Sequence, residues 1–216
     1  MHAENSARER PILFNAPMVK TTLGGQKTVT RRSVKGMALD WLNDGFDTAY
    51  VADPDNGLSP YGYTGDLLWV REAWAADTQL DAIAPRELSQ GEPICYLADG
   101  ALRQTGCSMI TQGKARRSFH MPRWVSRILL EVTALRIERL QDITEQQAMA
   151  EGITCVPFRP DDGWPICDGY MVGKDDSKTS LAPTAKKAFS DLWNSTGGDW
   201  DANPWVWVVE FKRVMP

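Results

Sequence analysis

The longest β-prone segment of the chain, residues 127–140, places the first limit on the fold. Its pattern predicts two strands or one bent strand, with one face in contact with water. A second segment, residues 204–215, alternates in the way that a strand of a barrel does. Shorter strands are predicted at residues 11–14, 28–32, 67–72 and 92–98. The chain must therefore be organised around β structure.

Three helices are predicted between these strands. Residues 16–23 carry apolar side chains at helical spacing, and Gly24 ends that helix. The sequence Thr-Glu-Gln-Gln at 144–147 is a capping box, which begins a short helix that ends at Gly152. Residues 184–194 have an apolar helical stripe. The predicted fold class is α+β: a small mixed or antiparallel β-barrel with short helices at its ends and long loop insertions.

The domain organisation follows from length and from the distribution of loop-forming residues. A chain of 216 residues can bury a substantial core. Residues 1–10 are charged and predict a flexible tail, and residues 11–216 predict a single domain. Segments rich in Gly, Asp, Asn, Pro or basic residues predict insertions at about 35–64, 99–118 and 154–183.

The charge balance limits the partners of the protein. A formal net charge of −4 argues against a protein that coats nucleic acid through a broad basic surface. Nucleosides and other small ligands suit this balance better than long duplexes. A local basic site can still be built from Arg31, Arg32, Lys114, Arg116, Arg117, Arg123 and Arg127.

Composition also argues against a membrane anchor, a metal site and a cofactor. No apolar run approaches the length of a membrane span, and residues 1–10 lack the apolar core of a signal peptide, so a cytoplasmic protein is expected. The four cysteines form no Cys-x-x-Cys pair, and the chain has only two histidines. Zinc needs clustered sulfur and nitrogen ligands, so no metal is expected. No cofactor is expected either.

The turn at residues 24–32, Gly-Gly-Gln-Lys-Thr-Val-Thr-Arg-Arg, concentrates chemically useful side chains. Two glycines permit a tight turn, and a lysine, two threonines and two arginines follow at once. One interpretation is a surface turn that leads into a polar edge strand, since Lys and Arg are mostly solvated. The other is a site that holds a potential nucleophile, a base and anion-binding groups.

Three segments together resemble the ASCH domain, a small barrel of the PUA-like superfamily. They are the turn at 24–32, the strand that follows Gly65-Asp66, and the final strand at 206–212. Residues 142–153 look like the short helix of that family. The whole chain is similar to ASCH-type proteins encoded by bacteriophages and prophages, which carry comparable insertions. The resemblance implies a PUA-like barrel.

One small bacterial branch of the ASCH family, which hydrolyses N4-acylcytidines to cytidine and a carboxylate, is similar at the chemical positions. Its lysine, threonine and glutamate fall on Lys27, Thr30 and Glu151. The resemblance implies an amidohydrolase. Thr30 would attack or hold the attacking water, Lys27 would act as base or stabilise the oxyanion, and Glu151 would position Lys27 and carry the proton.

Lys27 and Thr30 can reach the same ligand only under one geometric condition. On a regular strand, residues 27 and 30 point to opposite faces, so both reach one ligand only if Lys27 belongs to the turn and Thr30 to the strand. Candidate substrate contacts are Arg32, Trp69 and Arg71. In the strand at 67–72, Trp69 and Arg71 share a face, and Leu68 and Val70 share the other.

Two alternatives to the amidohydrolase remain open. The protein could be a binding module for RNA or a modified base, in which the same three residues line a pocket without reacting. A weaker alternative is a nuclease for single-stranded RNA. The expected partner is therefore a nucleoside, a modified base or single-stranded RNA. Candidate base-stacking residues are the loop tryptophans Trp41, Trp164 and Trp200, whereas His120 and Trp124 are interpreted as packing residues.

Overall fold

The structure is a computed structural model that describes residues 7–104, 106–160, 165–174, 177 and 179–215. The described residues form ten strands and five α-helices. The strands are β1 (Glu9–Leu13), β2 (Val29–Ser33), β3 (Leu67–Arg71), β4 (Trp74–Ala75), β5 (Ile94–Tyr96), β6 (Ala101–Arg103), β7 (Leu129–Arg139), β8 (Ile153–Phe158), β9 (Cys167–Val172) and β10 (Trp205–Val214). The helices are α1 (Ala16–Leu23), α2 (Met37–Asn43), α3 (Thr48–Val51), α4 (Glu145–Ala150) and α5 (Ala185–Ser195).

The central element is a five-stranded sheet in the order β1-β3-β7-β10-β2. Strands β1 and β3 pair in parallel, and the other neighbours are antiparallel. The segment that predicted two strands or one bent strand is the single strand β7. Its register against β10 shifts between Glu210 and Phe211, as at a β-bulge. Strands β4, β5 and β6 form a smaller sheet, and β8 pairs with β9.

The α+β class is confirmed, and the central sheet of the described residues has two unpaired end strands. Across the described part of the chain, hydrogen bonding leaves β1 and β2 as the ends of the sheet, so no closed barrel is found. The two end strands nevertheless approach each other. Arg32 on β2 donates from Nη2 to the carbonyl oxygen of Leu13 on β1 at 2.7 Å, and its guanidinium lies 5.8 Å from the Phe14 ring centre.

The inner face of the sheet carries the main core. Leu68 and Val70 are fully buried there, as the alternation of β3 predicts, together with Val209 and Phe211 of β10. The apolar stripe of helix α5, including Phe189, packs in the same core cluster. A second core forms around β4, β5 and β6, and Trp124 packs against it as predicted.

Local sequence signals determine the helix boundaries. Helix α1 has its predicted bounds, with the Asn15 side chain accepting from the amide of Met18 and with Gly24 as its C-cap. The predicted capping box of α4 is confirmed, with Thr144 and Gln147 bonded reciprocally. None of the helices in the described ranges has both the length and the apolar character that crossing a bilayer requires.

Several expectations about loops and termini differ from the structure. The predicted loop insertion at 35–64 contains the short helices α2 and α3, and the one at 99–118 contains strand β6. The predicted insertion at 154–183 contains the β8–β9 hairpin, whose strands are mostly half-buried or exposed and therefore lack the apolar alternation of core strands. Strand β1 begins at Glu9, within the predicted tail, and residues 1–6 lie outside the described residues. The side chain of His120 is exposed rather than packed, because it ends a short 3₁₀ helix at the surface.

Candidate functional site

The turn before β2 places Lys27 beside helix α4. The amides of Gln26 and Lys27 both donate to the carbonyl oxygen of Thr21, at 2.9 and 3.1 Å, which folds the chain back on α1. The amide of Thr28 then donates to the carbonyl oxygen of Ala150 at 2.9 Å. Since β2 begins only at Val29, Lys27 belongs to the turn and Thr30 to the strand. This arrangement satisfies the condition under which the side chains of Lys27 and Thr30 can reach one ligand.

Lys27 and Glu151 form a buried ion pair. Lys27 Nζ lies 2.5 Å from Glu151 Oε2, and the two side chains are 0% and 2% exposed. Nζ also donates to the carbonyl oxygens of Val29 at 2.8 Å and Glu151 at 3.1 Å, so all three ammonium donors have acceptors. Burial lowers the pKa of Lys27 from its ordinary value, and the Glu151 carboxylate opposes that shift.

Arg31 supplies a second cation to the same carboxylate. Glu151 is the C-cap residue of α4, and its Oε1 accepts from Arg31 Nη1 at 3.3 Å. Arg31 is 1% exposed, and its Nη2 also donates to Gln147 Oε1 at 3.2 Å and Glu138 Oε2 at 3.3 Å. Sequence reasoning named Arg31 as a basic residue but gave it no place in the site. Its position between two site residues on a short strand was the available signal.

Thr30 is buried without a hydrogen-bond partner. Its side chain is fully inaccessible, and Oγ1 has no partner among the residues that the structure describes. Strand alternation places Thr30 and Arg32 on one face of β2 and Arg31 on the other. The structure therefore joins Lys27 and Glu151 directly, whereas Thr30 makes no hydrogen bond to either.

A cavity of about 920 Å³ adjoins the Lys27–Glu151 pair. Glu151, Arg31 and Arg32 line it, whereas Lys27 and Thr30 are not among its described lining residues. Aromatic side chains form much of its wall: Phe14, Tyr61, Phe189, Trp193 and Trp207.

Two donors in the cavity wall lack partners. Arg31 Nε and Trp193 Nε1 are buried and have no hydrogen-bond acceptor in the described part of the chain. Burial also lowers the pKa of Arg32 and raises the pKa of Tyr61, and the two side chains interact electrostatically. The wall therefore offers flat apolar surfaces, and the two unpaired N–H groups are buried behind it.

Two of the predicted insertions contribute to this cavity. The first, at 35–64, provides Lys35, Gly36, Leu58, Pro60 and Tyr61. The second, at 99–118, provides its last residue, Ser118. The charged residues Arg31, Arg32 and Glu151 come from β2 and the end of α4, while the insertions supply part of the cavity wall.

Trp69 and Arg71 lie away from the cavity, on the outer face of β3. The Arg71 guanidinium is 4.5 Å from the Trp69 ring centre, and its Nη1 donates to the carbonyl oxygen of Phe119 at 3.2 Å. Neither residue is among the described residues that line the cavity. Arg71 thus holds the chain next to Ser118, which does line it.

The tryptophans that line the cavity differ from the loop tryptophans that were predicted to stack on a base. Trp41 stacks on Tyr50 with ring centres 5.8 Å apart, and Trp200 packs edge-on against Phe189. Trp164 lies outside the described residues. Trp193 and Trp207 line the cavity instead, but their apolar spacing in α5 and β10 gave only a core signal.

The site contains no evident metal-binding cluster. Within the described ranges, no group of three or more His, Cys, Asp or Glu side chains could hold a metal ion.

Comparison with protein families, curated proteins and solved structures finds no match to this chain.

Proposed function

We propose that the protein is an amidohydrolase that removes the acyl group from the exocyclic amine of an N4-acylcytidine. The observation that carries this proposal is the buried Lys27–Glu151 pair, whose carboxylate residue lines the large cavity. The proposal includes the ASCH-type, PUA-like barrel that the sequence resemblance implies. The approach of Arg32 on β2 to Leu13 on β1 supports that part, because it brings the two end strands of the sheet together.

The cavity suits a nucleoside in size and surface. A volume of about 920 Å³ falls within the range of small-molecule sites. The aromatic wall offers stacking surfaces for a flat base, and stacking tolerates different bases.

The reaction assigns a separate role to each charged group. Water adds to the acyl carbon, the bond from that carbon to N4 breaks, and a proton passes to N4, which yields cytidine and a carboxylic acid. Glu151 lines the cavity and carries that proton from the attacking group to N4. Lys27 and Arg31 hold the carboxylate in position from two sides, and their charge also stabilises the oxyanion.

Thr30 and Arg32 complete the proposed arrangement. Thr30 Oγ1, which has no partner among the described groups, either attacks the acyl carbon or orients the attacking water. Arg32 lines the cavity and contacts the ligand from the same face of β2. Trp69 and Arg71 act behind the wall, through the contact of Arg71 with Phe119.

The direct test is hydrolysis of N4-acetylcytidine by the purified protein. Chromatography should show cytidine and acetate formed in equal amounts, and the rate should fall by at least about a hundredfold in Glu151→Gln and in Thr30→Val. Lys20→Ala, an exposed substitution on α1, is the control for handling and purity. Absence of turnover with folded wild-type protein would overturn the proposal.

A binding module is the second candidate, and two observations favour it. The three donors of Lys27 Nζ are all engaged, and Thr30 is not among the described residues lining the cavity. This function predicts calorimetric binding of cytidine or N4-acetylcytidine that persists in Thr30→Ala, without turnover. The weaker ribonuclease alternative predicts shortened products when single-stranded RNA is incubated with the protein and run on a gel.

A further inference from the structure

A second, smaller cavity opens beside the first and is lined by the predicted insertion at 99–118. This phosphate cleft, as we name it, has a volume of about 380 Å³. Residues 81–85 form one side, and residues 114–117 with His120 form the other. Its charged or titratable lining residues are Asp81, Lys114, Arg116, Arg117 and His120.

The cleft carries an excess of positive charge. The side chains of Lys114, Arg117 and His120 are exposed, and none of them forms an ion pair within the described residues. The only carboxylate among the described lining residues is Asp81, which accepts from the backbone amide of Lys114 at 2.9 Å. The formal net charge of the whole protein is −4, so this local excess of positive charge is opposite in sign to the overall charge.

Arg116 makes the cleft a built site rather than a group of surface cations. Its side chain is 6% exposed, and its two terminal nitrogens donate to the carbonyl oxygens of Leu80 at 2.7 Å and Ile83 at 2.9 Å. The guanidinium lies 5.3 Å from the Trp74 ring centre. No carboxylate pairs with it in the described part of the chain, so its buried charge is held in place without a counter-ion.

The cleft and the large cavity are lined by two consecutive residues of one segment. Ser118 lines the large cavity, and the preceding residue, Arg117, lines the cleft. Consecutive Cα atoms are about 3.8 Å apart, so the two cavities adjoin the same short stretch of chain. The bond from Arg71 Nη1 to the carbonyl oxygen of Phe119 fixes the segment that forms the partition.

We propose that the phosphate cleft binds a phosphate group attached to the nucleoside in the large cavity. The preferred substrate is then a nucleotide or a residue within an RNA strand, rather than a free nucleoside. Lys114, Arg117 and His120 contact the phosphate oxygens, and Arg116 supplies a fixed positive charge behind them. The inference rests on the proposed binding of a nucleoside in the large cavity, but not on its hydrolysis.

Calorimetry with four ligands tests this inference: cytidine, cytidine 5′-monophosphate, cytidine 3′-monophosphate and a pentacytidylate. We expect at least one phosphate-bearing ligand to bind about tenfold more tightly than cytidine. In Lys114→Ala/Arg117→Ala that ratio should fall to near one. The matched control is Lys20→Ala/Lys174→Ala, which removes the same charge from exposed positions that line neither cavity.

The ligand series also separates the source of the phosphate. Tight binding of a monophosphate assigns a nucleotide, whereas tight binding of the pentacytidylate alone assigns a strand. For the strand, the double variant should reduce the slope of log affinity against log salt by roughly 1.4. A ratio near one in the wild-type protein, an equal loss in the control variant, or no binding of any ligand would overturn the phosphate cleft.

Failure of the cleft and failure of the hydrolase are distinguishable. If the protein releases cytidine from N4-acetylcytidine but shows no preference for phosphate, the hydrolase stands and the cleft is wrong. If phosphate-bearing ligands bind preferentially and the double variant abolishes the preference without any turnover, the cleft stands and the hydrolase is wrong.

Discussion

Lys27 Nζ and Glu151 Oε2 lie 2.5 Å apart although 124 residues separate them in the chain. The pair joins the turn after α1 to the end of α4, and a backbone bond from Thr28 to Ala150 runs beside it. Because Arg31 also contacts Glu151, one carboxylate touches two buried cations, of which Arg31 has Glu138 as a second partner. Removing that carboxylate should therefore affect stability as well as any reaction.

The substitution Glu151→Gln should lower the free energy of unfolding by about 3–5 kcal/mol, because it leaves Lys27 buried without its counter-ion. Urea unfolding followed by tryptophan fluorescence measures the change. The matched control is Glu131→Gln, which breaks the exposed pair with Lys212 and should cost about 1 kcal/mol or less. Equal losses in the two variants would show that Glu151 is not the charge centre of the buried network.

The substitution Thr30→Val should separate stability from function. A buried hydroxyl without a partner is costly, and valine replaces it with a methyl group of similar shape. We expect the free energy of unfolding to rise by about 1 kcal/mol while turnover of N4-acetylcytidine is lost. Thr30→Ser, which keeps the hydroxyl, should retain part of the turnover. A loss of stability in Thr30→Val would indicate that the hydroxyl contributes to folding.

Gly152 should be far less tolerant of alanine than Gly25. Both glycines have positive φ angles, +100° and +75°. A Cβ at Gly152 would also lie 2.7 Å from Thr21 Oγ1, whereas a Cβ at Gly25 meets nothing within 4 Å. Gly25→Ala should cost about 1 kcal/mol from backbone strain alone, and Gly152→Ala about 1–3 kcal/mol more. Thermal unfolding of both variants measures the difference, and equal costs would contradict the close contact with Thr21.

Asp77 should make the segment at 110–113 sensitive to acid. Its carboxylate accepts from the amides of Gln79, Thr111 and Ile110, and these bonds lower its pKa below the ordinary value of about 3.9. A lowered folded-state pKa gives stability that is fully present above the unfolded value and is lost as pH falls through the folded value.

The variant Asp77→Asn tests that dependence. The stability difference between wild type and variant should be largest near pH 6 and should shrink as pH falls below about 4. Urea unfolding at pH 6 and at pH 2.5 measures the two differences. A difference that stays constant, or that grows toward acid pH, would contradict the role of the Asp77 carboxylate.

Local signals predicted those parts of the fold that local chemistry determines. The capping box at Thr144, the glycine after α1 and the alternation of β3 each specify structure within a few residues. The β8–β9 hairpin was missed because its strands are largely exposed, so burial imposes no period on their sequence.

The site was predictable only in part, because contacts distant in sequence form it. Resemblance brought Lys27 and Glu151 together, and the structure places them in contact. Spacing alone could not have paired them. Arg31 was missed because its position between Thr30 and Arg32 on a short strand does not show that its side chain is buried. Trp193 was missed because a side chain that lines a cavity has the same helical spacing as one that packs in a core.

The contribution of the insertions to the large cavity has a consequence for its selectivity. The groups proposed to react come from β2, the turn before it and the end of α4, whereas Tyr61 and Ser118 come from the predicted insertions. The residues proposed to react and the residues that enclose the cavity thus lie in separate segments of the chain. A change in the enclosing loops alters which molecules enter, while the Lys27–Glu151 pair keeps its geometry.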